Sequence, residues 1–207
     1  MKIINLNENT RKELLLQLQK RSPSSYGGYE QTVNEIIENV RQHGDKALFD
    51  YTEKFDHCSL SRETVQVTRE EIEEAYTKIS PEFVAVMKKS AENIRAFHEK
   101  QLHASWIIPK EDGTILGQKI LPIAISGVYV PGGKAAYPSS VLMNVLPAKV
   151  AGVSRIIMTT PPGKDGKVNP GTLVAADIAG VDEIYKVGGA QAIAAMAFGT
   201  ESIPKVD

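Results

Sequence analysis

The 207-residue chain reads as an α/β protein, a helical N-terminal region followed by an incomplete parallel sheet with flanking helices. Three observations lead there. Residues 121–207 carry 13 charged side chains in 87 residues, whereas the first 120 carry 36. Strands buried on both faces lose their charge, and amphipathic helices keep a wet face. From residue 122 onward, short apolar runs alternate with helical patterns, as in parallel strands joined by right-handed crossovers. Glycine turns stand where strands hand over to helices, at Gly127-Val128-Tyr129-Val130-Pro131-Gly132-Gly133 and Gly188-Gly189-Ala190-Gln191. Helix N-termini fed by such turns are where α/β proteins hold nucleotides. The change in composition divides the chain at 121–127, into a mainly helical region 1–126 and a sheet-forming region 127–207.

Met1 to Leu6 is a short apolar strand candidate. Leu14, Leu15, Leu16 and Leu18 among charged and amide residues predict a helix over 10–20, which Ser22-Pro23-Ser24-Ser25-Tyr26-Gly27-Gly28 breaks. Val33, Ile36, Ile37 and Val40 fall at helical spacing and predict a helix over 29–43, ended by Gly44. Asp45 opens a short helix carrying Ala47, Leu48, Tyr51 and Phe55. Val65-Gln66-Val67 is a brief strand candidate. Thr68 and Glu71 form a capping box, each satisfying a free backbone N–H of the next helix. Ser80-Pro81 starts another, expected to run to about Leu102 with Phe83, Val86, Met87, Ile94 and Phe97 on its apolar side. Glu111-Asp112-Gly113-Thr114 predicts a hairpin turn between strands 105–109 and 114–121.

The sheet region follows as strand 123–130, helix 138–151, strand 154–160, a Pro/Gly loop from Pro161 to Gly166, helix 170–179, strand 183–187 and helix 190–198. Residues 203–206 read as the start of one more strand. A parallel sheet whose next strand is cut short suggests a piece of a longer protein.

The bulk numbers exclude several classes. A hydrophobic share of 42%, a charged share of 24% and a net charge of −1 describe an ordinary globular protein, with no electrostatic footprint for nucleic acid or an anionic membrane. No apolar run approaches a membrane span, and the N-terminus shows no signal-peptide pattern. Cys58 is the one cysteine, so no internal disulfide forms and a reducing cytoplasm is expected.

Few residues carry chemistry on spacing alone. The glycine turn 127–133 either presents N–H groups to a phosphate or is a tight strand-to-helix turn. It matches neither the dinucleotide fingerprint nor the P-loop. Lys134 is either a phosphate partner or a solvated loop residue. Tyr129, at a strand's carboxyl end, either stacks on a flat ring or hydrogen-bonds a ligand, or simply packs. Gln191, at a helix start on the same edge, either bonds an amide or ribose or is an ordinary first-turn residue. The four histidines, His43, His57, His98 and His103, all lie in the helical region. Asp56-His57-Cys58 offers three ligand types, but adjacent side chains seldom converge on one metal. Cys58 as a nucleophile would need a partnering base that the sequence does not place.

Longer blocks are more specific. The run from Gly127 through Gly132-Gly133-Lys134-Ala135-Ala136-Tyr137-Pro138-Ser139-Ser140 to Asn144 closely resembles the histidinol dehydrogenase family. So do Pro147 to Val153, Val187-Gly188-Gly189-Ala190-Gln191-Ala192-Ile193-Ala194-Ala195, Gly199-Thr200-Glu201 and Ile203-Pro204-Lys205-Val206-Asp207. Gly44-Asp45-Lys46-Ala47-Leu48 and Leu116-Gly117-Gln118 extend the resemblance upstream. It implies incomplete Rossmann-like domains of the aldehyde-dehydrogenase-like kind in a cytoplasmic homodimer. Residues 1–126 would then be part of the first large domain and 127–207 the NAD-side domain, truncated at its C-terminal end. It implies a zinc-dependent, NAD-linked enzyme that oxidises L-histidinol to L-histidine through the aldehyde, the last steps of histidine biosynthesis. In the whole enzyme, zinc would polarise the substrate alcohol, a histidine would take its proton, and a glutamate would activate water for the second oxidation.

The resemblance places the family's zinc ligands and acid–base pair in the half of the chain that follows Asp207, so no catalytic or metal residue carries over. Tyr129 and Gln191 do carry over, as cofactor-binding residues for NAD. The expectation is a cofactor-side scaffold, inactive by itself. The alternative is a non-catalytic nucleotide-binding module on the same half-fold.

Overall fold

The computed structural model describes residues 5–19, 27–132 and 136–207. Five helices come first: α1 (Glu8–Gln19), α2 (Gly27–His43), α3 (Asp45–Asp56), α4 (Arg69–Thr77) and α5 (Pro81–Glu99). A hairpin follows, β1 (Trp106–Pro109) and β2 (Ile115–Gln118). The chain then alternates: β3 (Ile125–Tyr129), α6 (Pro138–Val150), β4 (Arg155–Thr159), α7 (Pro170–Ala179), β5 (Glu183–Tyr185) and α8 (Gly189–Phe198). These elements match the expected spans to within a few residues.

Strands β3, β4 and β5 pair in parallel in that order, with Ile125 opposite Arg155 and Ile157 opposite Glu183. The segment 65–67 closes the β5 side in antiparallel fashion. Gln66 bridges Tyr185, the Val67 N–H donates to Ile184 O at 2.8 Å, and the Lys186 N–H donates to Val65 O at 2.8 Å. The strand candidate from the helical region therefore belongs to the same sheet as residues 127–207.

Alternation along the strands sorts two cores. Val128, Val130, Ile156, Met158 and Ile184 face α6 and α7, on which α4 and α5 pack. Ile157, Tyr185 and Val187 face α8, with α2 and α3 packed against it. Gly127 also lies on the α8 side. A Cβ there would come within 2.8 Å of Met196 Sδ and 3.1 Å of Val206, so this glycine permits the close approach of α8.

Helix ends follow their local chemistry. Thr68 and Glu71 form the predicted capping box of α4. Ser80 caps α5 with Pro81 in its first turn, and Asn169 caps α7 with Pro170 in the same place. Helix α3 is capped from far away: the Asp45 N–H donates to Glu201 Oε2 at 2.8 Å. In the reverse direction, the buried Asp45 carboxylate accepts from the Ser202 N–H at 3.1 Å and Ser202 Oγ at 2.6 Å. This interlock fixes residues 200–203 against α3.

Three expectations are corrected or fall away. On α5 the buried stripe runs through Val84, Met87, Ala91 and Ile94, whereas Phe83, Val86 and Phe97 are exposed. The helix is apolar around more of its girth than one packed face requires, so periodicity alone does not select the buried side. Residues 203–206 form no strand, although Asp207 begins a pairing with β3. Of the N-terminal strand candidate, residues 1–4 lie outside the described residues and 5–6 are not in a strand. Most of the break at Ser22–Gly28 also lies outside them.

Two elements stand apart. No residue of α1 is buried. Hairpin β1–β2 is paired from Trp106–Gln118 to Pro109–Ile115, yet every one of its residues is exposed, Ile107 at 71% and Ile115 at 69%.

Candidate functional site

Tyr129 ends β3 and turns its ring to the α8 side of the sheet, where it packs half-buried against that core. Its hydroxyl accepts a hydrogen bond from the Gly189 N–H at 3.3 Å, one of the free donors at the start of α8. Gly189 has φ +66°, a conformation that L side chains avoid. That turn lays the Gln191 side chain back over it, so a Cβ on Gly189 would meet Gln191 Oε1 at 2.5 Å. Tyr129 and Gln191, 62 positions apart in sequence, thus both come up against Gly189.

Gln191 is 1% exposed, and neither Oε1 nor Nε2 has a partner among the described residues. Burying an unpaired amide costs about 1–3 kcal/mol. Such a group in a native site calls for an explanation, and an absent ligand is one. The amide offers one donor face and one acceptor face, which suits a carboxamide or a ribose hydroxyl. Tyr129 adds a flat ring.

A cleft of about 390 Å³ lies on the other side of the same edge. Gly132, Thr160, Pro161, Lys167, Asn169 and Thr172 contribute to its walls, and Pro161 sits against both Gly132 and Gly188. Neither Tyr129 nor Gln191 lines it. Its cations are spoken for: Lys78 reaches Glu74 Oε1 at 2.7 Å and Lys167 reaches Glu74 Oε2 at 3.0 Å. Those two ammonium groups hold the Glu74 carboxyl below its ordinary value. Gly133, Lys134 and Ala135 lie outside the described residues, and so does the question of Lys134 and phosphate.

The other candidates stay separate. His57 is the left-handed residue that ends α3, with φ 56°. It is exposed while its neighbour Cys58 is buried. Burial pushes the Cys58 thiol up, opposite to the lowering that activates a thiolate nucleophile. Burial likewise raises Asp56. Nδ1 of His43 lies 3.2 Å from Asn39 O, and Nδ1 of His98 lies 2.6 Å from Gln101 Oε1. Among the described residues no three His, Cys, Asp or Glu side chains are placed to share a metal ion.

Sequence reading missed the part-buried ion pair of Lys186 with Glu71, 2.6 Å long, just beyond β5. Nothing local signals it, because its partners lie 115 positions apart. The cleft had a partial signal. Asn169-Pro170 is a legible helix start, but that Thr160 and Pro161 face it depends on strand order.

The architecture defines a class: an α/β protein with a parallel sheet between helix layers and polar groups gathered at the carboxyl ends of its strands. Within that class the chain belongs to the histidinol dehydrogenase family, whose family model matches residues 19–207. It is similar to the histidinol dehydrogenase of Clostridium acetobutylicum, 59% identical over 176 residues, covering 85% of this chain and 40% of that protein. The Bacillus subtilis (strain 168) protein is 56% identical over 176 residues, with 85% and 41% covered. The Thermosynechococcus vestitus protein is 45% identical over all 207 residues and 48% of its own length. A crystal structure of histidinol dehydrogenase from Elizabethkingia anophelis superposes with a TM-score of 0.81 at 39% identity, covering 86% of this chain and 41% of that one. The chain spans about two fifths to one half of the length of these relatives.

Proposed function

We propose that this chain is the cofactor side of a zinc-dependent, NAD-linked histidinol dehydrogenase that oxidises L-histidinol to L-histidine by way of the aldehyde. The observation that carries the reading is the Gln191 amide, buried and unpartnered beside Tyr129 at the carboxyl edge of the sheet. NAD, when bound, supplies the hydride acceptor. Gln191 would hydrogen-bond its carboxamide or ribose, and Tyr129 would pack a ring against it. The Gly189 N–H already held by Tyr129 fixes the ring that does so. Residues 127–207 make up the NAD-side domain in this reading, and residues 1–126 add to the first large domain while packing against it. The described residues offer no convergent donor set for zinc. Its ligands, the acid–base residues and the homodimer partner belong to the longer protein.

The test is histidinol-dependent reduction of NAD with zinc present, by this chain and by a protein of the relatives' full length. The expected result is turnover by the long form only, with NAD bound by both. Turnover by the 207-residue chain, or a long form that is folded and inactive, would overturn the reading.

A further inference from the structure

Lys186 is a buried ammonium group to which the proposed chemistry gives no role. It stands just past the carboxyl end of β5, five positions before Gln191. The chain changes direction sharply there. The Val187 N–H donates back to Tyr185 O at 3.0 Å, a three-residue turn with Lys186 at its centre. The conformation of Lys186 therefore sets the heading of the chain as it leaves the sheet for α8.

Between that turn and Gln191 stand two glycines. Gly188 presses on Pro161, where a Cβ would come within 2.6 Å of Pro161 Cβ, and Gly189 has φ +66°. Neither position accepts a side chain without displacement or strain, and paired glycines are compliant backbone. Anchors for this stretch must lie on either side of it. One is the long bond, 3.3 Å, from the Gly189 N–H to Tyr129 Oη. The other is Lys186.

A single short stretch, residues 65–71, holds Lys186 by main chain and side chain together. Its N–H donates to Val65 O at 2.8 Å, and its Nζ donates to Glu71 Oε1 at 2.6 Å. The second oxygen of that carboxylate, Oε2, accepts from the Thr68 N–H at 2.9 Å. A capping box needs one carboxylate oxygen. Here the other reaches across to the sheet, and the cap fixes the direction in which it points. Helix α4 is itself tied to α7, with Arg69 Nη1 and Tyr76 Oη donating to the Asp177 carboxylate at 2.7 and 2.8 Å.

We infer that Lys186 and Glu71 are a positioning pair: through Lys186, the α4 cap aims the turn that delivers the Gln191 amide to its ligand. The inference rests on the reading of Gln191 as a cofactor-binding residue. Both side chains act through the backbone from 186 to 191 and need no contact with the cofactor.

The test uses the long form of the preceding experiment. Glu71→Gln keeps an oxygen for the Thr68 N–H and so keeps the cap, while the ion pair is lost. Lys186→Met removes the charge at similar length, and Lys186→Arg retains it. KM for NAD should rise about 5- to 10-fold in Glu71→Gln and Lys186→Met alike, with kcat and KM for histidinol within about twofold of the parent. The double variant should be no worse than either single one. Lys186→Arg should recover most of the loss. Without NAD, the Gly189 amide should exchange about 10-fold faster in Glu71→Gln, while Ile157, inside the sheet, stays slow. A lowered melting temperature with NAD KM and Gly189 exchange unchanged would overturn the inference, because the pair would then serve stability alone. So would effects that add in the double variant. If Lys186→Met does not fold, Glu71→Gln decides by the same measurements. A parent long form that fails to reduce NAD sinks the functional reading only, and Gly189 exchange then decides the positioning: faster in Glu71→Gln upholds it, unchanged overturns it.

Discussion

Replacing Gln191 with methionine should make the protein more stable and its cofactor affinity weaker. Methionine has nearly the volume and the unbranched shape of glutamine, so the buried space at 1% exposure is refilled without a cavity. What disappears is an amide with two unpartnered atoms. Removing such a group returns its desolvation penalty of about 1–3 kcal/mol. For a domain of this size each kcal/mol moves the melting temperature by about 2–4 °C. A ligand that relied on the amide loses its partner, which weakens binding by about 10- to 100-fold. The assay is a pair of thermal melts with and without NAD, backed by calorimetric titration. Without NAD, Gln191→Met should melt higher than the parent, and with saturating NAD the gap should close or reverse. A variant that melts several degrees lower without ligand would refute the reasoning, because the amide would then be satisfied inside the protein.

Gly189→Ala should cost about 1–2 kcal/mol, from a left-handed conformation forced on alanine and a Cβ pressed against Gln191 Oε1, as read by denaturant midpoint. Asp45→Ala should cost about 2–3 kcal/mol, since its buried carboxylate holds Ser202 and pairs with Arg62 at 3.4 Å. Burial pushes Asp45 up, but hydrogen bonds from Ser202 and Thr200, with the Arg62 charge, outweigh it and hold the carboxyl below its ordinary value. A depressed folded value means stability that is fully present above the unfolded value near pH 4 and lost as pH falls through the folded one. Asp45→Asn should therefore flatten the loss of melting temperature as pH falls below about 4. Lys186→Ala should destabilise by about 2–3 kcal/mol, because it strands Glu71 at a partly buried site, and a double-mutant cycle with Glu71→Gln should show coupling.

Where the sequence spoke clearly, its signal was local. The capping box at Thr68 and Glu71, the Ser80-Pro81 helix start and the glycine turn at Gly188-Gly189 that opens α8 each depend on residues within a few positions, and these appear as expected. The α5 stripe is ambiguous in sequence because Phe83, Val86 and Phe97 compete with Val84, Met87 and Ala91 for the same period. Only the position of α6 decides between them. Tyr129 and Gln191 were legible as residues at strand and helix ends. That both come up against Gly189 depends on α8 crossing the face opposite α6, a fact of topology. The Asp45–Glu201 interlock and the Lys186–Glu71 pair join distant positions and leave no trace in any window of the sequence.

The exposed hairpin carries Trp106, the one tryptophan of the chain, half-exposed, with Nε1 donating to Gln118 Oε1 at 3.2 Å. The sole indole chromophore therefore sits on the least-covered element. Its fluorescence emission is blind to the core and reads only the surroundings of the ribbon. In this chain it should lie well to the red, and it should move to the blue as soon as any surface settles on β1 and β2. A core tryptophan would confuse assembly with unfolding, whereas Trp106 separates them by the direction in which its emission moves.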